Sequence, residues 1–259
     1  MKNKLLLALC LFLLCPHPVR ANGEVKTFLL DAKDVFTAPA SFDRRDWLTA
    51  GIAAGGFALL YADDEGITAT ARNIRSQTTK DMAKAVKPFG DGKYTMIPAA
   101  ALYLTGRGTD NKRLSDASSA AIESFVFSGL IANTLKYAIH RKRPNALDGS
   151  ERWYGPEFSS DDTSFPSGHA AAAFSVLTAY ATYYDDTPWI KYPAYTIATA
   201  TALSRIHDDA HWASDAFAGA AIGYFTAKAV YSARKARGQN LTLIPYYNNG
   251  PALAAQFRF

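Results

Sequence analysis

The feature that most constrains the fold is the segment from Ser115 to His140, in which apolar side chains recur mostly at steps of three or four residues. These side chains are Ile122, Phe125, Phe127, Leu130, Ile131 and Leu135. The interval matches the turn of an α-helix and places these residues mostly on one side of it. Pro144 cannot continue such a helix, because proline lacks the backbone N–H and clashes with the preceding turn. We therefore predict one long helix over residues 115–140.

Other helical segments accompany this one, and strand signals are scarce. Stretches typical of helices cover residues 47–62, 70–87, 94–105, 167–184, 188–206 and 212–237. Residues 145–165 are rich in Gly, Ser, Asp and Pro, which indicates a loop. Residues 241–259 allow a short β-hairpin around Asn248-Asn249-Gly250. The sequence predicts an all-α fold, a single bundle of about six or seven helices with the functional site at helix ends.

The composition is that of a globular protein with its own core. Of the 259 residues, 49% are hydrophobic and 20% are charged, which excludes a disordered chain, a collagen-like repeat and a disulfide-stapled miniprotein. The mean hydropathy of −0.09 is lower than a polytopic membrane protein would have. We therefore favour a soluble or surface-associated protein over an integral one.

The N-terminus has the three parts of an export signal. Lys2 and Lys4 precede an apolar run from Leu5 to Cys15, and Val19-Arg20-Ala21 offers small residues to a signal peptidase. The run is shorter than the ~20 residues that a spanning helix needs. Cleavage after Ala21 would lower the net charge from +5 to +2 and remove both cysteines. We therefore predict export to the periplasm, either in solution or associated with the membrane and facing the periplasm.

The first of three polar clusters runs from Lys136 to Pro144 and contains Arg143. Lys136 and Arg143 are seven residues apart, about two helical turns, which predicts that both lie on one helix face. Two such cations suit a phosphate or carboxylate, which Arg binds through a planar fork and Lys as a point charge. The alternative is a solvated basic helix end stabilised by the helix dipole. A nucleic-acid partner is not expected, because no comparable basic cluster follows.

The second cluster runs from Ser164 to His169 and indicates the start of a helix, with Ser167 as its cap after Pro166. Free backbone N–H groups at a helix start bind anions, and Gly168 leaves room for close approach. His169 would then stand over the anion, placed to donate a proton. The alternative is an ordinary capped helix with an incidental histidine.

The third cluster runs from Ser204 to Asp215 and contains Arg205 as a third cation. If the chain turns helical near His211, Asp215 lies one turn further and faces it. A carboxylate on one imidazole nitrogen leaves the other nitrogen free as base or nucleophile. One alternative is a zinc site, because His207 and His211 have the spacing of zinc-binding helices, although the glutamate of that pattern is missing. The other alternative is a core histidine with a hydrogen-bond partner.

Together the clusters hold three cations, a helix-end anion site and two histidines, which is what phosphoryl transfer through a histidine requires. They also resemble the three signatures of the type 2 phosphatidic acid phosphatases, K-x-x-x-x-x-x-R-P, P-S-G-H and S-R-x-x-x-x-x-H-x-x-x-D. That superfamily includes bacterial class A acid phosphatases and vanadium haloperoxidases. The matching residues are Lys136, Arg143, Pro144, Pro166, Ser167, Gly168, His169, Ser204, Arg205, His211 and Asp215. The resemblance covers about residues 115–230.

The resemblance implies a metal-independent phosphatase without a cofactor that forms a phosphohistidine. It implies that His211 is the nucleophile, oriented by Asp215, and that His169 protonates the leaving group and then activates water. The residues it implies for phosphate binding are Lys136, Arg143, Ser167, Gly168 and Arg205. We divide the chain into a signal peptide (1–21), N-terminal helices of the bundle (22–110), a phosphatase core (111–240) and a C-terminal tail or hairpin (241–259).

The expected substrate is a phosphate monoester or diphosphate of a lipid, such as phosphatidate, phosphatidylglycerophosphate or an isoprenoid phosphate. Trp153, Tyr154 and Phe158 in the loop would admit a lipid tail near the site. A non-specific soluble periplasmic acid phosphatase acting on small phosphoesters is the first alternative. A vanadate-dependent haloperoxidase and a catalytically dead phosphate-binding protein are alternatives of other classes.

Overall fold

The structure, a computed structural model, describes residues 22–156, 163–236, 242–247 and 251–256. The predicted signal peptide and both cysteines lie outside the described residues. Within these ranges the chain forms nine α-helices and one antiparallel pair of strands. They are α1 (Asn22–Thr37), α2 (Arg44–Ala62), α3 (Asp64–Asn73), α4 (Gln77–Val86), α5 (Gly92–Gly108), α6 (Lys112–Ile139), α7 (Gly168–Tyr183), α8 (Pro188–His207), α9 (Ala213–Ala236), β1 (Thr242–Tyr247) and β2 (Pro251–Gln256). The all-α prediction is confirmed, and the C-terminal hairpin is present.

The described region holds nine helices against the six or seven predicted, because residues 22–37 form a helix and the stretch 70–87 is divided. Helix α3 ends at Asn73 and α4 begins at Gln77. Ser76 accepts a hydrogen bond from the Thr79 backbone N–H, and the Thr79 hydroxyl accepts one from the Ser76 N–H. This reciprocal capping box starts a new helix where the amphipathic pattern alone suggested one continuous helix.

The long helix α6 ends abruptly, and its end shapes the site. His140 caps it in the left-handed conformation, with φ of 43°. Arg141 and Lys142 then run extended and form isolated β-bridges with Trp153 and Thr163. Trp153 and Thr163 therefore lie beside the extended segment that directly follows α6.

Helix α7 is the centre of the bundle and packs against α6, α8 and α9. Its alanine-rich first half lets neighbouring helices approach closely, since residues 170–173 are all buried. Gly219 and Gly223 of α9 lie against the backbone of α7: a Cβ on them would stand 2.2 Å from the Ser167 carbonyl oxygen and 2.3 Å from that of Ala171. Larger side chains, including Phe127 and Val230, fill the core further from the site.

Helix α2 differs from the others in its burial. None of its residues is buried, and Trp47, Ile52 and Leu59 are 60%, 68% and 77% exposed. Large exposed apolar areas on soluble proteins mark contact surfaces. Across the described ranges, none of the helices combines the length and the apolar character needed to cross a membrane.

Candidate active site

The three sequence clusters lie at the ends of four helices. Lys136 is in the last turn of α6, and Arg143 follows that helix. The second cluster forms the start of α7, Arg205 is in the last turn of α8, and Asp215 is in the first turn of α9. The packing of these four helices thus brings together, at one end of the bundle, residues that are far apart in the sequence.

Lys136 and Arg143 converge on one backbone group. Lys136 Nζ and Arg143 Nε both donate to the Thr163 carbonyl oxygen, each at 3.2 Å. The prediction that they share a helix face two turns apart is wrong, because the left-handed His140 ends the helix between them. The reversal of the chain after His140 brings the two cations together instead.

The second cluster forms the predicted capped helix start. The Ser167 hydroxyl accepts a hydrogen bond from the Ala170 N–H at 3.4 Å. A Cβ on Gly168 would meet no atom within 4 Å, so the space beside this residue is open. Helix α7 therefore begins with free N–H groups next to open space, the arrangement that binds anions.

His211 is oriented differently from the sequence prediction. Helix α9 begins at Ala213, so His211 precedes it and does not face Asp215 across one helical turn. Its Nδ1 lies 2.7 Å from the Ser164 carbonyl oxygen, which can only accept, so Nδ1 carries the proton. The Ser164 hydroxyl donates to Asp215 Oδ2 at 2.5 Å and lies 3.5 Å from His211 Nδ1. Asp215 is thus linked to His211 through the hydroxyl and the carbonyl group of Ser164.

The electrostatics of the site keep both histidines neutral. Burial, with the charges of Lys136, Arg143 and Arg205, holds the pKa of His211 well below its usual range. Burial, with the charges of Arg205 and Lys87, lowers the pKa of His169 to about 4. All three cations of the clusters therefore act on one small region, which makes its potential positive.

The cations also act on one another. Burial and the neighbouring Arg143 lower the pKa of Lys136 to about 8. Burial lowers the pKa of Arg205, and Arg143 acts in the same direction against the opposing effect of Asp208. Mutual repulsion of this kind is relieved by a bound anion, so the arrangement suits phosphate.

Arg141 is a site residue that the sequence reasoning missed. It is fully buried, and its guanidinium donates to Asp215 Oδ1 at 2.6 Å and to Asp64 Oδ2 at 2.8 Å. Burial raises the pKa of Asp215 to about 6, although Arg141 and Ser164 act in the opposite direction. Arg141 lies within the first cluster, but the spacing pattern places no requirement on it. Its neighbours His140, Lys142 and Arg143 are also basic or ionisable, so the sequence gives no signal that Arg141 is the buried one.

The N-terminal helices also supply residues that the sequence did not connect with the site. Asp64 starts α3, where the sequence indicated only the end of an apolar segment. Arg72 donates to Asp209 Oδ1 at 3.1 Å and to the Pro144 carbonyl oxygen at 3.1 Å. Gly90 lies so close to His169 that a Cβ would stand 2.7 Å from the His169 Cβ. No local sequence pattern reports contacts over such separations.

The sequence also suggested a zinc site at His207 and His211 as an alternative, and a lipid path beside Trp153, Tyr154 and Phe158. His207 contacts Thr79 Oγ1 at 3.1 Å through Nε2, whereas His211 contacts Ser164, so the two histidines have different partners. Trp153 packs against Tyr61 and donates to its hydroxyl at 3.0 Å. Tyr154 is exposed, and Phe158 lies outside the described residues.

The region that carries the site matches a known protein family. Residues 118–239 match the family model of the PAP2 superfamily, and this range contains all three clusters. This match confirms, for the region that carries the site, the resemblance to the type 2 phosphatidic acid phosphatases.

Proteins that are similar to this chain are named as phosphatases. A lipid A 1-phosphatase of Porphyromonas gingivalis is 35% identical over 46% of this chain, but the match covers only 23% of that protein. A lipid A 1-phosphatase of Rhizobium etli is 29% identical over 58% of this chain and 68% of its own length. The transmembrane PAP2-type phosphatidylglycerolphosphate phosphatase of Bacillus subtilis has a similar fold, with a TM-score of 0.54 and 20% identity over 71% of this chain and 94% of its own.

Proposed function

We propose that this protein is a metal-independent phosphatase that hydrolyses a phosphate monoester or diphosphate of a lipid through a phosphohistidine at His211. The observation that carries the proposal is the neutral His211 ring. Its Nδ1–H donates a hydrogen bond to the Ser164 carbonyl oxygen, and the charges of Lys136, Arg143 and Arg205 lower its pKa. A neutral imidazole fixed in this tautomer leaves the Nε2 lone pair available for attack on phosphorus.

In the first step, His211 Nε2 forms a bond to phosphorus while the bond from phosphorus to the leaving oxygen breaks. His169 transfers its proton to that oxygen, so the alcohol or phosphate leaves without a full negative charge. Positioned proton transfer of this kind contributes roughly 10²–10⁴-fold. In the second step, His169 accepts a proton from water, the hydroxyl oxygen attacks phosphorus, and the nitrogen–phosphorus bond breaks to release phosphate.

Asp215 supports the charge that develops on His211. When the imidazole is phosphorylated it becomes positive, and the buried carboxylate stabilises it through the hydroxyl and carbonyl of Ser164. The phosphoryl oxygens are held by the side chains and amides of Lys136, Arg143, Arg205, Ser167 and Gly168. These groups are placed before the reaction, so they need little reorganisation as charge moves.

A lipid is the favoured substrate for two reasons. Relatives of this chain are named lipid A 1-phosphatases. In addition, α2 exposes large apolar side chains along its length, which suits contact with a bilayer. Because the chain spans less than a quarter of the Porphyromonas gingivalis relative, the activity of that whole protein is not transferred. Action at the periplasmic face of a membrane rests further on the export signal predicted for residues 1–21.

The test is phosphate release from lipid A, phosphatidate, phosphatidylglycerophosphate and p-nitrophenyl phosphate, with EDTA or orthovanadate added. We expect activity that survives EDTA and is inhibited by orthovanadate, with a lipid preferred over p-nitrophenyl phosphate. His211→Ala should abolish turnover, whereas the matched variant His207→Ala should retain it. Loss of activity in EDTA, or equal losses in both variants, would favour the zinc site and contradict the proposal.

A further inference from the structure

The proposed mechanism does not use one buried charge that touches the site, the carboxylate of Asp64. We propose that Asp64 is a positioning residue, which acts through Arg141 and Ser214 on Asp215 and so on His211. The inference rests on the proposed function. It would make α3, which lies outside the region that matches the PAP2 family, a part of the catalytic apparatus.

Asp64 is held as a hydrogen-bond acceptor in the interior. It is 1% exposed, although it begins α3 directly after the turn at Asp63. Its Oδ1 accepts from the Ser214 N–H at 2.9 Å, and its Oδ2 accepts from the Ser214 hydroxyl at 2.5 Å. Oδ2 also accepts from Arg141 at 2.8 Å. A buried carboxylate with three donors fixes the position of each of them.

Arg141 carries this constraint to Asp215. One terminal nitrogen binds Asp64, and the other binds Asp215 Oδ1 and the Ser214 hydroxyl, the latter at 2.8 Å. Aromatic rings surround the guanidinium, with centroids 4.9, 4.7 and 5.4 Å from its central carbon, and these belong to Tyr61, Trp153 and Trp212. The planar group can therefore bridge two carboxylates in only one orientation.

The chain of contacts ends at the nucleophile. Asp215 Oδ2 accepts from the Ser164 hydroxyl, and the carbonyl oxygen of the same serine accepts from His211 Nδ1. Without a charged Asp64, Nη2 of Arg141 keeps only the Ser150 carbonyl oxygen, at 2.7 Å, and the Ser214 hydroxyl loses its charged acceptor. The guanidinium can then shift relative to Asp215, and the His211 ring is no longer aligned for attack.

The direct test compares Asp64→Asn with Glu123→Gln. Glu123 pairs with Arg234 at 2.8 Å in another largely buried ion pair, and Arg234 lies about 28 Å along α9 from Asp215. We expect Asp64→Asn to lower kcat by about 10²-fold, because small misplacements of reacting groups cost that much. KM and orthovanadate inhibition should stay within about threefold, since the phosphate-binding cations are untouched. Glu123→Gln should change kcat less than about twofold.

A double variant separates positioning from general damage. If Asp64 acts through Asp215, adding Asp64→Asn to Asp215→Asn should lower kcat by less than about threefold further. An equal loss in both backgrounds, or a kcat for Asp64→Asn like that of Glu123→Gln, would overturn the inference.

A milder change covers the case in which Asp64→Asn does not fold. Ser214→Ala removes the bridging hydroxyl without removing a charge, and we expect a folded protein, checked by circular dichroism, with a fivefold or greater loss of kcat. Unaltered kcat in this variant would overturn the inference. An inactive wild-type enzyme would instead refute the proposed function, so the two failures are distinguishable.

Discussion

His169 illustrates how the charges of the site control a single side chain. Burial and three cations, Arg205, Lys87 and Lys136, lower the pKa of His169 and so disfavour its protonated form, and Asp91 opposes them only in part. The proposed mechanism nevertheless needs a proton on His169 when the leaving group departs. A phosphate dianion among the same cations supplies an opposite charge, which raises the pKa of His169 again. Substrate binding and proton uptake are therefore coupled at this residue.

This coupling predicts the titration of His169. Its pKa should lie near 4 without ligand and rise by more than one unit when inorganic phosphate or orthovanadate is bound. Nuclear magnetic resonance of histidine-labelled protein, with His169→Asn used to assign the signal, measures both values. A pKa that remains near 4 in the presence of the anion would contradict the role of His169 as proton donor.

Lys136 predicts an alkaline limit of substrate binding. Its pKa of about 8 means that the side chain is charged below pH 8 and loses its proton above it. We expect kcat/KM to fall about tenfold per pH unit above 8, because the free enzyme then lacks one phosphate ligand. Lys136→Arg should remove this limb, since arginine stays protonated, and the exposed Lys80→Arg should leave it in place. An identical pH profile for Lys136→Arg and the wild type would be the contrary result.

At the scale of the elements, the site depends on how closely α9 approaches α7. Gly219 lies against the Ser167 carbonyl, and the Ser167 N–H donates to the Asp215 carbonyl oxygen at 2.9 Å. The start of α7 and the first turn of α9 are thus joined directly. A change in the packing distance moves Ser167 and Asp215 relative to each other.

Gly219→Ala tests this dependence. The new Cβ would overlap the Ser167 carbonyl oxygen, and we expect a loss of about 1–3 kcal/mol of unfolding free energy. The melting temperature should fall by about 2–4 °C per kcal/mol, and kcat should fall with it. Gly55→Ala on α2, where a Cβ meets no atom within 4 Å, is the matched control and should keep wild-type values. Equal behaviour of the two variants would show that the close approach is unimportant.

The sequence predicted the elements better than their connections. Helices α7, α8 and α9 were predicted within one or two residues, and the clearest signals are Ser167, which caps α7, and Pro188, which begins α8. The convergence of Lys136 and Arg143 depends on the left-handed His140, a single backbone conformation that no periodicity reveals. The route from Asp215 to His211 through Ser164 depends on a loop that returns from elsewhere in the sequence. Such contacts arise from tertiary packing, and local propensity does not encode them.

At the scale of the whole molecule, residues 22–110 complete the site. Asp64 binds Arg141, Arg72 links the first and third clusters, and Gly90 packs on His169. The three signatures contain the proposed reacting groups but not these supports. The N-terminal helices therefore combine two roles, since α3 and the turn at Lys87–Gly90 face the site whereas α2 presents an apolar surface.

The apolar surface of α2 predicts lipid binding. Ile52→Asn combined with Leu59→Gln should weaken cosedimentation with phospholipid vesicles by about tenfold or more, because two exposed apolar side chains lose their contact with lipid. Hydrolysis of p-nitrophenyl phosphate should be unchanged. Leu147→Gln is the control, since Leu147 is as exposed as Leu59 but lies outside α2. Vesicle binding that is insensitive to the α2 changes would contradict this assignment of the surface.

The most direct test of the central claim is to trap the covalent intermediate. The enzyme is mixed with ³²P-labelled lipid phosphate in EDTA and quenched in alkali within milliseconds, and the labelled peptide is sequenced by mass spectrometry. We predict an alkali-stable, acid-labile phosphate on His211, absent from His211→Ala and present in His207→Ala. Turnover in EDTA without a labelled intermediate, or label on a residue other than His211, would contradict it.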